Sequence, residues 1–222
     1  MDVIKLFYNA ILDSIFPLSE EEKFLAYLTP EQALSTLPVA PPYDASVAAI
    51  PGSASILAYK DKRVARMIWN IKYKKDAHCA KIGAHLLYEH LKSKENVQHT
   101  PLVIVPMPST PKRRRERGYN QCELIGDEMT KLDIEKRLDM RKNVLKKIQH
   151  TSNQKMKNRE ERLGSAQGIF AVDAEIAQPL IGSNARVIVI DDVITTGTTM
   201  KEALDELKKA GLARVSGLSI AH

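Results

Sequence analysis

Four consecutive β-branched residues, Val187 to Ile190, run directly into two carboxylates and a small-residue turn, giving VIVIDDVITTGTT over residues 187 to 199. An unbroken β-branched run, as opposed to apolar and polar residues in alternation, is the pattern of a strand covered on both faces in a parallel sheet. Asp191 and Asp192 then stand at the carboxyl end of that strand, which is where open α/β sheets bind ligands. A helix expected over residues 199 to 210 turns its unpaired N–H groups and positive dipole end towards the same place. Met200, Ala203, Leu204 and Leu207 are its inward face, and Gly211 is its stop.

The turn Thr195, Thr196, Gly197, Thr198, Thr199 offers hydroxyl donors and a glycine that lets the backbone approach a phosphate. An ionised carboxylate only accepts hydrogen bonds, so Asp191 and Asp192 suit the two donors of a vicinal diol. Phosphate cradle and diol acceptors together read as a site for ribose 5-phosphate. A nucleoside triphosphate P-loop is excluded, because Gly197 is followed by Thr198 and Thr199 with Lys201 out of register for GxxxxGK[ST].

Leu102 to Pro108, LVIVPMP, is a second apolar strand, followed by an Arg-rich turn holding Lys112, Arg113, Arg114, Arg115 and Arg117, and by Gly118, Tyr119, Asn120 and Gln121 at a helix start. Further helices are expected over residues 3 to 16, from Thr29 as N-cap with Pro30 and Gln32 behind it, around Val64 to Ile71, and from Ala77 to Leu91. Arg214 to Ala221 supplies a last strand. Strands alternating with helices predict an α/β fold with a mainly parallel central sheet flanked by helices. His78, His85 and His90 lack ligand spacing and read as surface or partly buried helix positions.

VIVIDDVITTGTT resembles the phosphoribosyl pyrophosphate (PRPP) motif of type I phosphoribosyltransferases. The strand, proline-bearing loop, Arg-rich turn and RGYNQ segment resemble the competence protein F (ComF) branch of that superfamily. Trp69 to Lys75 (WNIKYKK), the series Thr151, Gln154, Arg162, Gly168 and Phe170, and Ile15, Phe16 and Pro17 extend the resemblance over nearly the whole chain. It implies the type I phosphoribosyltransferase fold, with residues 1–60 as an N-terminal helical hood and 61–222 as the α/β domain. It also implies displacement of pyrophosphate from C1 of PRPP through an oxocarbenium-like transition state, with Mg²⁺ brought by PRPP and Asp191 and Asp192 as its candidate protein contacts. On that reading Asp191, Asp192 and Arg117 are the catalytic candidates, and Asp191, Asp192 and Thr195 to Thr199 bind PRPP. Pro106, Met107, Pro108 and Ser109 form the pyrophosphate loop, and Asn120, Gln121, Lys147, Gln154 and Arg162 support it. The basic stretch from about Lys146 to Gly168 suits a flap that closes over the ligand and excludes water.

This chain also departs from the family pattern. Cys79 and Cys122 form no CxxC, so the family's four-cysteine zinc module is not expected. Lys147 replaces a usual Arg and Ser165 a usual Asn, which weakens bidentate anion contacts. Thr195 stands where purine-salvage members carry an Asp, which disfavours an oxopurine acceptor and leaves other bases, ammonia or another amine open.

A charge of +6 with a pI near 9.2 calls for an anionic partner only weakly. Two cysteines without a pairing pattern, no cleavable leader and no apolar run of spanning length set the expectation of a cytoplasmic chain without membrane insertion. Two functions stay open: an Mg²⁺-dependent phosphoribosyltransferase of unknown acceptor, or a non-catalytic competence or DNA-uptake protein binding PRPP, a nucleotide or single-stranded DNA. Competence or recombination proteins are candidate partners in the second case, and a homodimer is compatible with either. The Arg cluster with Tyr119 suits single-stranded DNA, yet aromatic residues make up only 5% of the chain and are sparsely interleaved with basic ones.

Overall fold

The computed structural model describes residues 18–41, 50, 52–93, 101–148 and 169–222. The expected helix over residues 3 to 16, together with Thr151, Gln154, Arg162, Ser165 and Gly168, lies outside the described residues.

Five strands make the central sheet: β1 (Ala54–Leu57), β2 (Leu102–Pro106), β3 (Leu138–Met140), β6 (Arg186–Val193) and β7 (Val215–Ala221), in the order β1-β7-β6-β2-β3. All four pairings are parallel. A separate antiparallel pair joins β4 (Leu145–Lys147) to β5 (Phe170–Val172).

The β-branched runs are buried on both faces, as a central parallel strand requires. Leu102, Ile104, Ile188 and Ile190 point into one core with Val64, Met67 and Ile68 of α3 (Lys62–Trp69), Ile82, Leu86 and Leu87 of α4 (Ala77–Ser93), and Ile125 and Met129 of α6 (Gln121–Leu132). Val103, Val105, Val187 and Val189 point into the other, against Met200, Ala203, Leu204 and Leu207 of α8 (Thr198–Lys209). The short helix α7 (Ala174–Ala177) closes that second layer through Ala177. The expected helices at Val64, Ala77 and Thr199 are therefore present, and Gly211 adopts φ 95° just past α8.

Several expectations are corrected. The Arg-rich segment is not a turn: Thr110 caps α5 (Pro111–Arg117), Pro111 occupies the first helical turn, and Gly118 ends the helix at φ 76°. Thr29 does not open a helix, because residues 30–32 form a turn and α2 (Ala33–Thr36) follows with no side-chain cap. A helix absent from the sequence reading, α1 (Glu20–Tyr27), is opened by a full capping box between Ser19 and Glu22. Strand β1, within the segment read as hood, pairs with β7 at the sheet edge, and Leu25, Leu28, Ala33 and Leu37 join the first core.

Gly83 sits inside α4, where glycine costs about 1 kcal/mol relative to alanine. A Cβ there would overlap the Ile220 side chain of β7, which explains its presence. Gly83→Val is expected to lower unfolding free energy by about 1–3 kcal/mol through overpacking, read as a reduced urea midpoint at unchanged slope. An unchanged midpoint would show that α4 can move off the sheet freely.

Candidate functional site

The carboxyl ends of β1, β2 and β6 converge because their pairing is parallel. Pro106 lies opposite Ile190, and the Met107 N–H donates to the Ile190 carbonyl at 2.9 Å, so the loop after β2 starts level with Asp191. The Tyr59 N–H donates to the His222 carbonyl at 2.8 Å, and Ile194 N–H to the Ala221 carbonyl at 3.0 Å. These loops enclose a cleft of about 360 Å³.

Among the residues expected in the site, Asp191, Asp192, Thr195, Thr196, Gly197, Thr199, Met107, Pro108, Ser109, Arg117, Gln121 and Lys147 line this cleft. Pro106 ends β2 as a buried strand residue, Asn120 lies buried behind the cleft wall, and Thr198 begins α8 with its hydroxyl 3.1 Å from that of Thr196. Tyr59, Lys72, Tyr73, Thr110 and Arg113 line the cleft as well. Of these, Lys72 and Tyr73 sat in the KY segment without an assigned role, and Arg113 in the basic cluster. Tyr59 carried no signal in the sequence.

Gly197 adopts φ 79° and serves as N-cap of α8 with no side-chain cap. The first N–H groups of that helix therefore point at the cleft without a competing side chain. Across the cleft, Ser109 presents a buried hydroxyl with no hydrogen-bond partner among the described residues. Lys147, held on β4 opposite Phe170 and 5.4 Å above its ring, reaches in from the antiparallel pair. Burial and then Arg113 hold the Lys147 pKa below its ordinary value, against the pull of Asp191. Arg113, Arg117 and Lys147 thus place three cationic side chains on the lining of the cleft.

The two carboxylates are in different states. Asp192 is 3% exposed, and one oxygen meets the Lys72 ammonium at 3.0 Å while the other has no partner among the described residues. Burial works against the Lys72 charge, but Asp192 and Asp191 outweigh it and raise its pKa. Asp191 is half-buried and accepts from the Asp192 N–H at 2.8 Å and the Cys122 thiol at 3.4 Å. Burial first, and the adjacent Asp192 second, push Asp191 well above the usual carboxylate range. Cys122 is itself buried, and burial with the two neighbouring carboxylates keeps its thiol protonated.

The RGYNQ segment is the brace that assembles these walls. Arg117 stacks 4.9 Å over the Tyr73 ring and donates to Gln121 at 3.0 Å. The Tyr119 hydroxyl donates to the Ile71 carbonyl at 2.5 Å and accepts the Lys75 N–H at 3.0 Å, clamping the π-helical turn Asn70–Lys74 that carries Lys72 and Tyr73. The Asn120 amide donates to the Met107 carbonyl at 3.0 Å, while its oxygen caps α6 through the Cys122 N–H at 3.0 Å. Tyr119→Phe is expected to cost about 1–2 kcal/mol by removing the hydroxyl's bonds to the Ile71 carbonyl and the Lys75 N–H, which keeps only the Asn70 carbonyl. Faster amide exchange at Lys75 would follow, and exchange unchanged from the parent would refute the clamp.

His78 is exposed and His85 and His90 are half-buried on α4, the helix positions expected for them. The only grouping of metal-capable side chains among the described residues is Cys122, Asp191 and Asp192, whose donor atoms lie within 4.8 Å of one another. No helix among the described residues is long and apolar enough to cross a membrane.

The phosphoribosyl transferase domain family matches residues 134–219, which include β6, the diacid and the turn into α8. Competence protein F of Haemophilus influenzae is 28% identical over 162 residues, 70% of this chain and 66% of that protein. Competence protein ComFC of Streptococcus pneumoniae is 28% identical over 153 residues, 68% of this chain and 60% of its own length. The match thus spans less than two thirds of either relative. A parallel sheet in this order, a diacid at its carboxyl edge and these matches agree with one another: the chain is similar to competence protein F and its relatives and carries a match to the phosphoribosyl transferase domain over residues 134–219.

Proposed function

We propose that the cleft binds PRPP and that the protein transfers ribose 5-phosphate from it to an acceptor, releasing pyrophosphate. The observation that carries this is a helix N-terminus free of side-chain caps beside two partly or wholly buried carboxylates, in one cleft whose opposite wall is cationic. The α8 N–H groups and the hydroxyls of Thr195, Thr196 and Thr199 receive the 5-phosphate. Asp191 and Asp192 accept from the ribose hydroxyls. Ser109, Arg113, Arg117 and Lys147 face the pyrophosphate, where charge develops as the C1–O bond breaks. Little covalent work falls to the protein; it positions the sugar and stabilises the leaving anion.

Mg²⁺ suits this donor set. The carboxylates are hard oxygen ligands, the second, buried oxygen of Asp192 is unpartnered among the described residues, and the protonated Cys122 thiol offers no competing soft ligand. When bound, Mg²⁺ would offset charge on the departing pyrophosphate. Asp191 and Asp192 are the residues that would hold it.

The alternative, a single-stranded DNA binder, draws on α5, which has no buried residue. Yet Arg114 is engaged by both oxygens of Glu123, and Lys112 lies 3.9 Å from Glu116, which reduces the charge α5 offers to a phosphate backbone. Calorimetric titration with PRPP, with and without Mg²⁺, tests the proposal directly. Saturable, Mg²⁺-dependent binding is expected, and no heat in either condition would remove it.

A further inference from the structure

A second cleft, of about 500 Å³, lies between α1, α3 and the π turn and shares Tyr59, Lys72 and Tyr73 with the first. We propose that it receives a planar aromatic ring carrying one acid group, and that this ring is the acceptor; the proposal rests on the phosphoribosyl reading of the first cleft.

Helix α3 buries Val64, Met67 and Ile68 and turns Lys62, Arg66 and Trp69 the other way, at spacings that put them on one stripe. Ala65 sets a small floor between them. The π turn adds a residue to the next helical turn, so Lys72 reaches Asp192 while Tyr73 continues the stripe. Trp69 and Tyr73 are 41% and 58% exposed, with ring centroids 5.5 Å apart. Large aromatic rings left in water inside a concavity are the usual mark of a stacking site.

The charge of the cleft narrows the class. Arg66 lies 5.1 Å and Lys74 5.5 Å from the Trp69 ring centre, and Arg117 lies 4.9 Å from that of Tyr73, so both rings sit in a positive field. Lys74 is committed to Glu22 at 2.6 Å, and Lys72 to Asp192. Lys62 and Arg66 face Glu21, which stays ionised: its own backbone and the Ser19 hydroxyl, with Lys62 and Arg66 behind them, hold its pKa below the ordinary value. Arg66 also acts on Glu22, the partner of Lys74, so Lys62, Arg66 and Lys74 stand against Glu21 and Glu22, and the surplus of one positive charge accepts a single acid group and disfavours a polyanionic strand. In the transfer, a nitrogen on or attached to the ring forms its bond to C1 as the C1–O bond breaks. The bonding pair leaves on pyrophosphate; a nitrogen of the pyridine type keeps the positive charge, and an N–H nitrogen passes its proton to water.

Trp69 is the only tryptophan in the chain, so its emission reports occupancy of this cleft directly. The full chain is titrated with benzoate, pyridine-3-carboxylate, the neutral amide benzamide and oligodeoxythymidylate, and PRPP binding is measured separately by calorimetry. Saturable quenching by the acids is expected, with affinity about tenfold weaker in Arg66→Gln and for benzamide, the loss of roughly one charge-assisted hydrogen bond. Lys62→Gln serves as a second variant should Arg66→Gln unfold. PRPP binding without any response to the acids overturns the acceptor proposal and leaves the PRPP reading standing. Response to the acids without PRPP binding removes the phosphoribosyl reading and the acceptor role with it. Tighter quenching by the oligonucleotide than by either acid overturns the proposal in favour of a nucleic-acid surface.

Discussion

The double variant Asp191→Asn, Asp192→Asn is expected to bind PRPP roughly 100-fold more weakly or worse, because two charge-assisted acceptors, each contributing about 1.5–3 kcal/mol, are lost together. The fold should survive. The two carboxylates repel each other and resist burial, so neutralising both removes a native-state cost while Lys72, which is 23% exposed, can turn its ammonium to water. Calorimetry on the variant, alongside circular dichroism, separates loss of binding from loss of structure. Parent-like affinity in a folded double variant would move the ribose hydroxyls away from this pair.

Lys72→Met carries the largest expected effect on stability. Asp192 is almost fully buried and Lys72 is its only partner of opposite charge within ion-pair distance among the described residues, so removing the ammonium strands a carboxylate at the cleft floor. Breaking one side of such a pair costs roughly 3 kcal/mol or more. Adding Asp192→Asn to Lys72→Met should restore most of that loss, since the stranded charge is gone. The measurement is a double-mutant cycle in urea, and a Lys72→Met midpoint equal to the parent's would show that water already solvates Asp192. Lys72→Met also leaves Asp191 beside a neighbour whose charge is no longer compensated, so PRPP affinity should weaken in the same variant.

Both variants act on residues that differ in how visible they were. Asp191 and Asp192 could be read from the chain because a β-branched run, a diacid and a Thr/Gly turn are local: strand burial, strand end and helix start follow one another within thirteen residues. Gly197 at φ 79° and the uncapped start of α8 are consequences of that same short segment. The parallel sheet was equally legible, because unbroken apolar runs alternating with helical segments of period 3.6 leave few other arrangements.

Capping chemistry was there to be read and was missed at Ser19 and Glu22, and it misled at Thr29, where the turn at residues 30–32 and the burial of Ala33 and Leu37 overrode a favourable cap. Short strands such as β1 and β3 have no such signature. Ala54–Leu57 and Leu138–Met140 are too brief to show a period, and pairing with β7 and β2 makes them strands.

The chain by itself determined the core strands, the diacid, the Thr/Gly turn into α8 and the proline-bearing loop after β2, all through contacts within one or two turns of sequence. Only the tertiary structure decided that Lys72 neutralises Asp192, 120 positions away, that Tyr119 clamps the turn carrying it, and that Trp69 and Tyr73 face a cleft next to the first. Those partners meet because the carboxyl ends of parallel strands gather distant loops at one edge, and a π turn brings Lys72 and Tyr73 to the boundary that the two clefts share. Sequence spacing encodes neither, since both depend on where a helix lands once its apolar face has found the sheet.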